Sequence, residues 1–199
     1  MEQRTLGGTE LKRLHREWRR RTPGRLALLL DGVQTPYNVG SILRTAAAYR
    51  IDHLWLAGPT ARPSDAKTRK TALGSDKFLT WDVVETGPEA AGLARAAGYL
   101  VVGIELTTDA APLHQLDLAT DVCLAVGHED RGLAAPTLAA CDRIGFLPQL
   151  GRIGSLNVAT AAALAIYEVR RQAWTADPAA HRGLSGAEFD VPVGDDMVE

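Results

Sequence analysis

Three short stretches of this 199-residue chain carry side chains that could grip an anionic, hydroxyl-bearing ligand. The first is Asn38-Val-Gly-Ser-Ile-Leu-Arg-Thr45. On a helix, Gly40 and Ser41 stand one turn before Arg44, so a glycine gap would lie beside a guanidinium. That arrangement leaves room for a phosphate or sugar held bidentately. The plainer reading is a helix capped by Asn38 with one surface arginine. The second stretch, Leu124-Ala-Val-Gly-His-Glu-Asp-Arg-Gly-Leu133, places a glycine at a strand end, then Glu129 and Gly132, as suits a loop wrapped around a ligand. Its His128-Glu129-Asp130 trio has no second cluster and adjacent side chains diverge, so no metal site is expected. The third, Gly151-Arg-Ile-Gly-Ser-Leu-Asn-Val-Ala-Thr-Ala-Ala-Ala163, has two glycines and then Ser155, expected to cap a long helix. A strand, a glycine loop and a helix N-terminus together present backbone donors to a ligand. A packed core helix after a flexible loop is the plainer alternative. Alanine at 159 and 161 to 163 lets another backbone approach that helix closely.

The elements that must position these turns follow from hydrophobic pattern. Leu26 to Val33 is a continuous apolar run of strand length, which suits a strand covered on both faces. Further strands are expected over His53–Ala57, Trp81–Glu85, Tyr99–Leu106, Val122–Val126 and Ile144–Leu147. Helices are expected over Asn38–Tyr49, Pro88–Ala97, Leu133–Cys141 and Leu156–Gln172, with a short one after Ala61. Arg170 and Arg171 would then complement the last helix's dipole. Residues 107 to 120 read as a loop with little pattern. Strand alternating with helix predicts an α/β fold with a parallel sheet. Ligands of such sheets sit beyond the carboxyl ends of strands, so the turns after Val33, Val126 and Leu147 are expected to meet. Neither G-x-G-x-x-G after a strand nor a Walker-type phosphate loop is present.

Composition is that of a globular protein, 46% hydrophobic and 23% charged. No apolar run reaches the ~20 residues of a membrane span, and no signal-peptide pattern opens the chain; a cytoplasmic protein with no membrane partner is expected. Cys123 and Cys141 read as buried free thiols. The net charge of −2 hides a basic end: Lys12, Arg13, Arg16, Arg19, Arg20, Arg21 and Arg25. Most lie on a helix expected over 9–21, capped by Thr9, whose Leu11, Leu14 and Trp18 form an apolar stripe for docking. Such an end suggests an anionic partner, although a solvated helix face would have the same charges. The stretch past Trp174 reads as a mobile acidic tail.

Taken together, Asn38-x-Gly40-Ser41-x-x-Arg44-Thr45, Gly127-x-Glu129-x-x-Gly132 and Pro148-x-x-Gly151-x-x-x-Ser155-Leu156-Asn157-Val158 resemble the three motifs of the TrmH-like (SpoU) branch of the SPOUT RNA 2′-O-ribose methyltransferases. Thr71-Ala-Leu-Gly74 is similar to a stretch between the first two. The resemblance covers roughly residues 26 to 170. It implies a Rossmann-like sheet with a C-terminal deep trefoil knot, a homodimer, and S-adenosyl-L-methionine held by backbone groups. By position it implies a cofactor pocket around Gly127, Leu147, Leu156, Gly151 and Ala125. It implies catalytic roles for Arg44, Asn38, Glu129, Ser155 and Asn157. Since arginine is a poor proton acceptor, Arg44 is expected to bind the adjacent phosphate and stabilise the developing alkoxide. RNA contacts are expected from Arg16, Arg19, Arg20, Lys67, Lys70, Arg170 and Arg171. Three parts follow: a basic helical extension over 1–24, the methyltransferase domain over 25–173 and the tail over 174–199. Short basic flanks favour tRNA, by analogy a D-loop guanosine, over ribosomal RNA, and a non-catalytic RNA-binding protein is the remaining alternative. His128, Gln149 and Arg50 depart from residues common in the family, which bears on substrate identity.

Overall fold

The computed structural model of the chain describes residues 4–177. Seven strands form one all-parallel sheet: β1 (Leu26–Asp31), β2 (His53–Ala57), β3 (Trp81–Val84), β4 (Leu100–Ile104), β5 (Ala111–Pro112), β6 (Val122–Val126) and β7 (Arg143–Phe146). Their order is β3-β2-β1-β6-β4-β7-β5, so β1 and β6 are the central neighbours. The helices are α1 (Gly8–Arg21), α2 (Pro36–Ala48), α3 (Ala66–Ala72), α4 (Gly87–Ala96), α5 (Ala135–Ala140) and α6 (Val158–Ala176).

The continuous apolar run of β1 is explained by two hydrophobic layers. Leu26, Leu28 and Leu30 pack in one layer with Val39, Ile42, Leu43 and Ala46 of α2 and Ala162, Ala165, Ile166 and Val169 of α6. Ala27 and Leu29 point the other way, into a layer with Ala90, Ala91 and Ala94 of α4. The four leucines of β1 are fully buried, each contributing on the order of 1.5–3 kcal/mol relative to exposure. On α6 the buried positions 162, 165, 166 and 169 follow helical spacing, the core stripe of the Ala-rich segment.

Several expected boundaries shift. α2 begins at Pro36, not Asn38, because proline is well suited to the first helical turn. α6 begins at Val158 and runs to Ala176, four residues past Gln172. Arg170 and Arg171 therefore do not stand in its last turn. The patternless stretch 107–120 contains β5 and a 3-10 turn, Leu113–Gln115. Cys123 is buried, whereas Cys141 is half-buried and donates to the Thr137 carbonyl at 3.2 Å. Helix α2 ends with Arg50 in the left-handed region, φ 52°, where glycine is usual. The Arg170 guanidinium, 4% exposed, closes this end by donating to the carbonyls of Tyr49, Arg50 and Gly24 at 2.9–3.2 Å.

Gly24–Ala173 form one compact unit; the described residues on either side form another. In the latter, α1 starts after Gly7 rather than at a Thr9 cap. The Glu10 carboxylate accepts the Gly7 N–H at 2.6 Å and the Arg4 guanidinium at 2.6 and 2.9 Å. No residue of α1 is buried, and of its apolar stripe Leu14 and Trp18 are half-buried. Trp18 meets Trp174 edge-on at 5.2 Å. The expected acidic tail lies, from residue 178, outside the described residues.

Candidate active site

A parallel sheet delivers every strand's carboxyl end to one edge, and register decides which loops touch there. Leu30 of β1 pairs with Val126 of β6, and Gly103 of β4 pairs with Ala125 of β6. Ile104 of β4 in turn pairs with Gly145 of β7. The loops after β1, β6, β4 and β7 therefore gather at one place.

There, three of the singled-out side chains form a relay. The Glu129 carboxylate accepts the Thr35 N–H at 2.8 Å, the Gln34 N–H at 3.3 Å and the Asn38 Nδ2 amide at 3.0 Å. Asn157 Nδ2 donates to Asn38 Oδ1 at 2.9 Å. Asn157 Oδ1 accepts the N–H groups of Ala159 and Thr160 at 3.0 and 3.3 Å. Asn157 thereby caps α6, while Glu129, from a distant loop, holds the N–H groups just before α2. Neither is the residue sequence suggested, which is Asn38 for α2 and Ser155, exposed here, for α6. Partial burial opposes ionisation of Glu129, but the hydrogen bonds from Asn38, from its own backbone and from Thr35 outweigh it. Together they hold its pKa at about 2.

Two adjoining cavities flank the relay. One, of about 300 Å³, is lined by Gly127, Leu147 and Leu156 together with Glu105, Phe146 and Val158. The other, of about 490 Å³, lies over Thr35, Asn38, Glu129, Ser155 and Asn157. His128, Glu129, Asp130, Ser155, Leu156 and Val158 border both. The loop that lines the smaller cavity depends on glycines. His128 and Gly132 exchange N–H···O bonds at 3.0 and 2.9 Å, and a Cβ on Gly127 would stand 2.2 Å from the Gly132 carbonyl carbon. Glu105 buttresses the same loop, accepting the Leu133 N–H at 2.9 Å. Sequence reading missed Glu105; its place at the carboxyl end of an expected strand was the available signal.

The remaining expected residues divide. Ala125 is buried within β6 and Gly151 is exposed; neither lines either of these two cavities. Arg44 is exposed on α2 and borders neither cavity. The glycine gap beside it is filled by protein: a Cβ on Gly40 would lie 2.6 Å from Thr71 Cβ and 2.8 Å from the Thr68 carbonyl oxygen of α3. Gly40 thus serves helix packing, not a phosphate. Lys67 and Lys70 are exposed on α3. Arg171 is paired with Glu168 at 2.7 Å. Arg170 is buried against backbone carbonyls, which corrects its expected contact with RNA. On α1, Arg16, Arg19 and Arg20 are exposed, and Arg20 pairs with Glu17 at 2.8 Å. Among the described residues no group of three or more His, Cys, Asp or Glu is placed to hold a metal ion. No helix among them is long and apolar enough to cross a membrane.

The family model of the SpoU rRNA methylases matches residues 25–167. The chain belongs to this family. Its members include a 23S rRNA (guanosine-2′-O-)-methyltransferase of Acinetobacter baylyi, 34% identical over 148 residues, which are 74% of this chain and 60% of that protein. The tRNA (guanosine(18)-2′-O)-methyltransferase of Escherichia coli is 29% identical over 153 residues, 77% of this chain and 66% of that one. Among solved structures, the SpoU methyltransferase AviRb of Streptomyces viridochromogenes in complex with AdoMet aligns with a TM-score of 0.70 at 30% identity, covering 78% of this chain and 64% of that one. The chain spans about three fifths of the length of the first curated relatives it matches. In this SpoU member the α/β fold and the parallel sheet expected from sequence are both present.

Proposed function

We propose that the chain is an S-adenosyl-L-methionine-dependent RNA 2′-O-ribose methyltransferase. The observation that carries this reading is the Glu129–Asn38–Asn157 relay, which ties residues of three family motifs together beside the two cavities. The smaller cavity suits the methyl donor. Ile104, Leu106, Phe146 and Leu147 offer an apolar surface to an adenine, and Glu105, Glu129 and Asp130 offer negative charge to a sulfonium. Close approach of the Gly127 and Gly132 backbones leaves peptide groups to read the ligand's edge. When bound, the donor would supply a methyl group on positive sulfur: the ribose 2′-oxygen, losing its proton, would take the methyl carbon in line as the neutral thioether leaves.

The protein's share is positioning, which in general can supply several kcal/mol of a barrier. Asn38 and Asn157, locked by the relay, would orient the ribose over the cleft; Ser155, at the junction, would fix the donor loop. Arg44 would hold the neighbouring phosphate and the alkoxide as it develops. Because Arg44 stands outside both cavities, we propose that it serves a site shared with a second copy in a homodimer. The exposed Leu164 and Tyr167 of α6, 46% and 47% exposed, suit that contact. The deep trefoil knot of the family is part of the same proposal, as is the division into a basic extension, a methyltransferase domain and a tail.

For substrate we propose tRNA, at a guanosine such as that of the D-loop. Cations are frequent on α1 and, separately, on the 62–77 segment, and short basic stretches of this kind suit a stem-loop. Ribosomal RNA is the second reading, favoured by the 34% identity to the 23S enzyme. Methyl transfer from labelled S-adenosylmethionine to unmodified tRNA and, separately, to ribosomal RNA decides between them. 2′-O-Methylguanosine from tRNA alone is expected. Label on ribosomal RNA alone overturns the substrate, and donor binding without label on either RNA points to a non-catalytic RNA-binding protein.

A further inference from the structure

The segment from α3 through the 3-10 turn Ser75–Phe78 combines features that the site described above does not use. It is firmly seated. Thr68 and Ala72 are fully buried, α3 fills the Gly40 notch of α2, and Leu79 and Trp81 pack against the core. Yet Leu73 and Phe78 turn outward, 71% and 80% exposed. Leu73 does so from the left-handed region, φ 51°, with Gly74 following at φ 82°. A branched side chain in that region carries conformational strain, a pattern that collects at ligand-binding positions. Lys67, Arg69, Lys70 and Lys77 on the same segment are all exposed. Arg62, Lys67, Arg69, Lys70 and Lys77 stand against Asp65 and Asp76, a surplus of three positive charges within a chain of net charge −2. The Asp65 carboxylate is already engaged by the Arg62 N–H at 2.8 Å.

An aromatic face ringed by cations is how proteins hold an unstacked nucleotide: the ring takes the base and the cations take the flanking phosphates. A protein partner would be better served by a broader apolar patch than by two side chains among cations. Placement agrees. α3 packs against α2 at Gly40, one helical turn from Arg44 in sequence. We infer that residues 67–78 form a nucleotide-docking platform on which Phe78 stacks an RNA base, with Lys67, Arg69, Lys70 and Lys77 binding its phosphates. This rests on the RNA-methyltransferase reading and deepens it: Phe78 is a positioning residue that presents the neighbouring ribose.

The test compares wild type with Phe78→Ala and Phe78→Trp, using an unmodified tRNA transcript and reading RNA affinity, KM and kcat for methyl transfer, and donor affinity. Losing one stacked base should weaken RNA binding and raise KM about tenfold or more, with donor affinity unchanged, and tryptophan should restore both. Replacing Lys67, Lys70 and Lys77 by Gln should lower the slope of log affinity against log salt by about two. RNA affinity equal to wild type in Phe78→Ala overturns the platform. So does a change in sedimentation of the RNA-free variant, which would show that a second copy covers Phe78. Direct RNA affinity keeps the two readings apart: a wild type that binds tRNA but transfers no methyl group sinks the enzyme, while the alanine comparison still decides the platform.

Discussion

Asn157 donates its side-chain amide to the Asn38 carbonyl oxygen at 2.9 Å, across 119 positions of sequence. Neither amide has a choice of orientation. Asn157 Oδ1 is held by N–H donors of α6, and an ionised Glu129 can only accept from Asn38. Asn38→Asp would set a second carboxylate against Glu129 and remove its donor. A loss of about 1–3 kcal/mol in stability is expected, together with loss of methyl transfer. Asn157→Asp keeps the helix cap and breaks one link, so its loss should be smaller. Urea melts of both variants check this ordering; an Asn38→Asp protein as stable as wild type would dissolve the relay.

Glu129 gives the relay a pH signature. Its carboxyl is held at about 2 against an ordinary 4.5, because hydrogen bonds from Asn38 and Thr35 outweigh burial. A depressed folded pKa contributes stability that is fully present above the unfolded value and is lost as protons bind. The contribution should therefore fade between about pH 4.5 and pH 2. Glu129→Gln lacks it at every pH, since an amide cannot titrate and turns an N–H toward the Gln34 donor. Urea midpoints at pH 7 and pH 3 should show the gap between wild type and variant narrowing at the lower pH. A gap that widens there would contradict the argument.

The lining of the smaller cavity can be tested at Gly127. A methyl group there would lie 2.2 Å from the Gly132 carbonyl carbon, while His128 and Gly132 clamp the loop. The loop must open to admit it, an overpacking cost of about 1–3 kcal/mol. Gly127→Ala should therefore lose about tenfold or more in S-adenosylmethionine affinity by calorimetry while keeping the sheet's far-UV circular dichroism. Unchanged affinity would place the donor elsewhere.

How far the chain could be read before folding depended on whether a signal was local. The buried run of β1 and the alternation of strand and helix are local, and the parallel sheet followed. The meeting of the three turns followed from sheet geometry. The helix starts did not: the N–H of Thr35, just before α2, is held by a carboxylate 94 positions away, so Asn38 looked like the cap when it is a link. Strand β5 has two residues, too few for any period. Glu105 was passed over because its partners, Leu133 and the Gly132 backbone, come together only in three dimensions. Gly40 read as a gap for a ligand because nothing in sequence announces that α3 fills it.

Arg170 shows the same contrast energetically. Read locally, it is one of two arginines near a helix end; folded, it is buried and ties the end of α2 to the start of β1 through Tyr49, Arg50 and Gly24. Arg170→Ala strands these carbonyls, and a loss of about 2–4 kcal/mol is expected. Arg50→Gly should instead gain about 1 kcal/mol by relieving the left-handed strain at φ 52°. Denaturant unfolding of the two variants should move in opposite directions. If both fall alike, the Arg50 conformation carries no strain.

Arg44 is the remaining decision. It belongs to the first motif, yet it is exposed and borders neither cavity. So placed, Arg44 is proposed to act on RNA or across a pairing of two copies rather than on the donor. Arg44→Ala should therefore lower kcat by about a hundredfold or more, as when an oxyanion-stabilising donor is removed, with S-adenosylmethionine affinity and thermal stability near wild type. Mixing it with a second inactive variant, Asn157→Ala, separates the two cases. If Arg44 serves its partner's cleft, a mixed dimer holds one site with both residues intact, and activity returns toward a quarter to a half of wild type. If it serves RNA bound to its own chain, one subunit of the mixed dimer lacks Arg44, the other lacks Asn157, and no activity returns. Loss of donor affinity in Arg44→Ala would instead mean that the guanidinium supports the cofactor loop, and its assignment to phosphate and alkoxide would fall.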